Sequence, residues 1–127
     1  MSRSSATRRR KNDRMREEER QFLLTTAWLF MRHGRRERAR SLFEVLLETD
    51  PRDGVAAVAY ADLLVSEGLA REALEVLRIA DVPPSLEHAE AVLETRALRM
   101  LGRNADADSR WHRYLESRKG ASRQWIA

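Results

Sequence analysis

Three of the five glycines stand at Gly34, Gly68 and Gly102, two successive intervals of 34 residues. No other feature restricts the fold as much, because several residue types recur in phase with them. Five residues after each glycine comes an alanine (Ala39, Ala73, Ala107), and nine after comes a large apolar residue (Phe43, Leu77, Trp111). Twelve after stand Leu46, Ala80 and Tyr114. Seven before stand the small residues Ala27, Ala61 and Thr95, and four before, the large residues Phe30, Leu64 and Leu98.

A glycine between two helices takes the left-handed turn that folds one back on the other. Small residues let the helices approach closely where they cross, and large ones at helical spacing fill the space beside them. Pro51 and Pro83-Pro84 fall where each second helix must stop. A 34-residue period of this kind is the tetratricopeptide (TPR) arrangement. The expected fold is therefore all-α, a TPR-like helical repeat of three helix pairs in a short right-handed solenoid. The spacing predicts helices over about 13–32, 36–48, 54–66, 70–80, 86–101 and 105–118. Asn12 or Asp13, Asp53 and Ser85 are placed to cap the first, third and fifth. Residues 12–118 then form one domain, with repeats at about 20–53, 54–87 and 88–118. A disordered basic tail is expected at 1–11 and a frayed C-terminal tail at 119–127.

Composition agrees with one domain in 127 residues. The absence of cysteine removes disulfides, thiol nucleophiles and cysteine-based zinc sites. The longest nearly apolar run, 22–31, is too short to span a membrane, which takes roughly 18 or more residues. With no apolar stretch directly after the basic N-terminus, no secretory signal is visible, and a cytoplasmic location is expected. Residues 1–16 hold seven basic groups and one acid, whereas the other 111 residues hold 17 basic and 19 acidic groups. Positive charge is thus concentrated in the tail, around Arg8-Arg9-Arg10-Lys11, and not on the fold, where a nucleic-acid-binding domain carries its basic stripe. The tail reads as a solvated segment with weak, salt-sensitive attraction for anions.

Nothing in the sequence builds a catalytic site, and neither a cofactor nor a metal is expected. His33, His88 and His112 fall at different repeat positions. His88-Ala-Glu90 has the form of a deaminase motif, but no cysteines complete a zinc site. Asp106 and Asp108 sit where acids favour the start of a helix. Neither a glycine-rich phosphate loop nor a Gly-x-Ser-x-Gly elbow occurs. A binding protein is the expectation, not an enzyme.

In such a stack the first helix of each pair lines a concave surface. The register assigns to it Leu24, Trp28 and Met31, then Val58, Asp62 and Val65, then Val92, Arg96 and Arg99. That partner-binding groove is apolar at its N-terminal end and charged at its C-terminal end, which suits an amphipathic or extended segment of another protein. The competing reading packs Trp28 and Met31 against the tail or the other helices. TPR domains that grip the C-terminal carboxylate of heat-shock proteins place lysine and asparagine on this face, and Leu24 and Trp28 exclude that clamp.

A narrower likeness lies in Gln21-Phe22-Leu23-Leu24, Trp28-Leu29, Gly34, Glu37-Arg38-Ala39, Leu46-Leu47 and Pro51, together with Gly102, Ala107, Trp111 and Tyr114-Leu115-Glu116. Over roughly residues 20–118 the chain resembles the SctY (YscY-like) chaperones of bacterial type III secretion systems. The resemblance implies a small cytoplasmic chaperone that binds SctX, an early-exported protein, and engages the export-gate protein SctV. It also leaves open a free homodimer that hides its own groove. Three features depart from the family: a longer basic tail, Pro83-Pro84, and a polar third groove helix. Chaperones of needle subunits or translocators, and general TPR scaffolds, share the same columns.

Overall fold

The computed structural model describes the backbone of residues 15–126 and the side chains as far as residue 121. The basic tail expected over 1–11, and any cap from Asn12 or Asp13, lie outside the described residues. Six α-helices follow in order: α1 (Glu17–Arg32), α2 (Arg36–Thr49), α3 (Gly54–Ser66), α4 (Ala70–Ile79), α5 (Glu87–Met100) and α6 (Asn104–Ile126). Among the described residues there is no strand, only a single bridge between Asp53 and Asp81. The chain is all-α.

Three differences from the expected boundaries have local causes. The first helix starts at Glu17 and not near 13, with Arg16 extended and three glutamates in the first turn, where the helix dipole favours acids. Ser85 does not cap the fifth helix, because Pro84–Leu86 winds into a 3-10 turn and Leu86 becomes the N-cap residue. The last helix continues to Ile126, past the expected end at 118. No proline stops it, and Gly120 meets no neighbouring atom there and costs only about 1 kcal/mol inside a helix.

The three register glycines are the only residues described with positive φ, +75° at Gly34, +81° at Gly68 and +75° at Gly102. Each closes its helix in the same way. The Gly34 N–H donates to the Met31 carbonyl and the Arg35 N–H to the Phe30 carbonyl. Gly68 and Leu69 repeat the pair on Val65 and Leu64, and Gly102 and Arg103 repeat it on Arg99 and Leu98. These are Schellman closures, which satisfy carbonyls left over at a helix end. They link α1 to α2, α3 to α4 and α5 to α6 as helical hairpins, and the most extensive packing is within these pairs.

The phased columns form the core. Ala39, Ala73 and Ala107 are fully buried, as are Ala27 and Ala61, and Phe43, Leu64 and Leu77 fill the space beside them. Between pairs, α2 packs on α3 and α4 on α5, while α3 also touches α1 and α5. The odd-numbered helices therefore adjoin one another. Phe43 of α2 stacks on Tyr60 of α3 with ring centroids 5.8 Å apart. Burial, helped by Glu44 accepting the Tyr60 hydroxyl, pushes that phenol up to about 12.

Polar links join helices both between hairpins and within one. Asp53 caps α3 by accepting from the Ala56 N–H, and it accepts from Arg20 of α1 through Nε at 2.7 Å and Nη2 at 3.0 Å. Burial would raise the Asp53 carboxyl, but the Arg20 and Ala56 donors outweigh it and hold the group below the usual carboxylate range. Arg110 of α6 joins Glu94 at 2.8 Å and Glu90 at 3.7 Å on α5.

Candidate functional site

A cavity of about 430 Å³ opens on the side formed by α1, α3 and α5. From α1 it receives Trp28 and Met31, and from α3 Val55, Val58, Ala59 and Asp62. From the 3-10 turn and α5 it receives Leu86, His88, Ala89, Val92, Leu93 and Arg96. The lining is mostly apolar, with Asp62, His88 and Arg96 as its charged or titratable members. Trp28 is 45% exposed, and the Arg32 guanidinium lies over its ring at 4.7 Å. A tryptophan half in water at the edge of an apolar hollow buries more surface when an apolar group enters beside it.

Repeat geometry explains why these side chains meet. Residues six and ten before each glycine differ by four positions, so they share one helix face. Three helices set side by side in the same register bring those faces together. Six of the nine residues assigned to the groove line the cavity: Trp28, Met31, Val58, Asp62, Val92 and Arg96. Three do not. Val65 is 3% exposed and belongs to the core, because α3 has neighbours on both sides and its last turn is covered. Leu24 is half-buried and packs against that core. Arg99 turns to α6, where Asp108 accepts from its guanidinium at 2.7 Å.

Sequence reasoning missed Val55, Ala59, Leu86, His88, Ala89 and Leu93 as lining residues. Ala59 and Leu93 stand nine residues before their glycines, and Val55 and Ala89 thirteen before, so the register flanks the assigned columns with them. Small side chains at Ala59 and Ala89 leave the hollow open. Leu86 had no periodic signal, since a non-repeated turn delivers it, and His88, in the first turn of α5, shares its register position with the unlike residues Arg20 and Gly54.

Searches of family models, curated proteins and solved structures returned no match to this chain.

Two other hollows are less suited to a partner. A polar depression of about 560 Å³ surrounds Arg20 and Asp53, but those groups already satisfy one another. A smaller one, about 290 Å³, lies between α2 and α4 and is lined by Leu47, Val76 and Ile79 with Glu44 and Glu48. The residues that resemble catalytic motifs have side-chain partners of their own. His88 Nδ1 lies 3.1 Å from the Tyr114 hydroxyl, and its ring packs against Trp111. Asp106 and Asp108 accept from Arg103 and Arg99 and do not converge. Among the described residues no three histidine, aspartate or glutamate side chains gather into a group able to hold a metal ion. Nor is any described helix long and apolar enough to cross a membrane.

Proposed function

We propose that the six helices form three TPR-like repeats of a right-handed solenoid, and that the protein is a chaperone holding a client segment in the α1–α3–α5 cavity. The observation that carries this reading is an apolar hollow built by three helices from three hairpins, with a half-exposed tryptophan at its edge. The 34-residue recurrence of the glycine closures and alanine columns supports the TPR part. The sequence resemblance narrows the client. On that reading the protein is a cytoplasmic partner of a small, early-exported SctX-like protein of a bacterial type III secretion system. It holds the client's apolar face until delivery to an SctV-like export gate.

Co-expression tests it. The tagged protein should co-purify with an SctX-like client encoded beside it, and Trp28→Ala should weaken the complex roughly thirtyfold, the loss of about 2 kcal/mol common for an aromatic anchor. Phe30→Ala should instead lower the melting temperature, because Phe30 packs against the core. Full binding by a folded Trp28→Ala variant would remove the cavity from the mechanism. Failure to retain any SctX-like client would remove the secretion assignment.

A further inference from the structure

We infer that the cavity selects its occupant by charge order: a helix with an apolar anchor, a basic residue one heptad on and an acidic residue two heptads on. This rests on the groove reading above and adds the chemistry the occupant must present. Trp28, Asp62 and Arg96 hold one position in the register, six residues before Gly34, Gly68 and Gly102. They line the same cavity from α1, α3 and α5, and all three are exposed. Read across the three helices, that column runs aromatic, negative, positive.

The two charges are also uncommitted. Neither Asp62 nor Arg96 forms an ion pair with the other, or with anything else, among the described residues. Neighbouring arginines behave differently: Arg99 is held by Asp108, Arg103 by Asp106 and Arg110 by Glu94. An acid and a base left open beside an apolar floor of Val58 and Val92 favour complementary charges and repel like ones.

Spacing decides the form of the occupant. Packed helices lie about 8–10 Å apart, so successive rungs of the column are separated by about that distance. Seven residues of an α-helix rise about 10.5 Å and return to the same face. Three residues of a strand also span about 10 Å, but an odd step turns the side chain to the opposite face. A helix crossing α1, α3 and α5 in turn therefore offers one heptad position to each rung.

Two fluorescent helical peptides of identical composition test this against the full chain by anisotropy. One carries leucine, lysine and glutamate in that order at heptad spacing, and the other has lysine and glutamate exchanged. The first should bind about fivefold tighter at low ionic strength, and the difference should shrink as salt is added. Reversing the peptide's direction cannot rescue the exchanged order, because glutamate then still faces Asp62. The double variant Asp62→Arg, Arg96→Asp should invert the preference, with circular dichroism checking that these exposed changes keep the fold. Equal binding of both peptides by the wild type, or a preference the double variant does not invert, overturns the charge order and leaves the groove reading standing. Binding of neither peptide by the folded protein overturns both.

Discussion

Thr95 shows how much a single buried atom can cost in this fold. It occupies the small-residue column that Ala27 and Ala61 fill in the first two hairpins, and its buried hydroxyl has no partner among the described residues. A buried, unsatisfied hydroxyl costs about 1–3 kcal/mol, whereas an apolar group of the same shape does not. Thr95→Val should therefore stabilise by about 1 kcal/mol, seen as a melting temperature higher by a few degrees. Gly68 presents the opposite case. A Cβ there would meet nothing within 4 Å, so backbone strain alone opposes substitution at φ +81°. Gly68→Val should destabilise by a few kcal/mol, and Gly68→Asn by much less, since asparagine tolerates the left-handed region. Equal melting temperatures for the two variants would contradict that cause. Gly54 is constrained differently: its φ is ordinary, but a Cβ would overlap the Asp81 carbonyl where the two inter-helix loops touch.

Among elements, α1 lies at one end of the row of odd-numbered helices, with α3 as its neighbour there among the described residues. Phe22 and Leu29 stand at the register positions of Ala56 and Leu63, which α3 buries almost completely, yet they are 69% and 43% exposed. Within the described residues no helix precedes α1 to cover them. Its fixed side is pinned by Arg20, whose guanidinium meets both oxygens of a carboxylate that is itself only 5% exposed. Arg20→Ala would leave that carboxylate buried without its charge partner, at a cost of about 3 kcal/mol in urea unfolding, the low end for a buried pair because Arg20 is itself partly exposed. The pH dependence follows from the lowered carboxyl of Asp53. The unfolded chain takes up this proton first, so the contribution is fully present above about pH 4 and is lost as the pH falls through the lower folded value. Wild type should therefore lose more stability on acidification than Asp53→Asn, which keeps an N-cap but has no carboxylate to protonate. Parallel losses in the two proteins would show that the pair does not contribute.

At the scale of the whole molecule, the described core and cavity are lined by residues from Met15 onward, and the strongly basic N-terminal segment carries almost nothing apolar. Only Met1 and Ala6 among residues 1–11 are apolar. Deleting residues 1–11 should leave the melting temperature and the affinity for a client at physiological salt unchanged, since so polar a segment has little surface to bury. A large loss of affinity on deletion would make the segment part of the binding site. The concentration of positive charge there also means that any weak attraction to polyanions should disappear with it and with added salt.

Periodicity alone determined that this chain is helical, where its hairpins close, and which columns are small or large. Those properties are local: a glycine that must adopt positive φ, an alanine that must lie under a crossing, and apolar residues returning every three or four positions all leave marks in the linear order. Asp53 as the cap of α3 was legible for the same reason. The tertiary structure decided what depends on which helix lies beside which. Val65 and Met31 share a register position, yet α3 is enclosed and buries Val65, while Met31 on the outlying α1 reaches the cavity. Arg96 and Arg99 read alike on α5, but an aspartate supplied by α6 holds Arg99, and no described partner holds Arg96. Leu86 enters the site through a turn that has no counterpart in the other repeats. Pairing and enclosure are relations between segments distant in sequence, and a period of 34 residues carries no record of them.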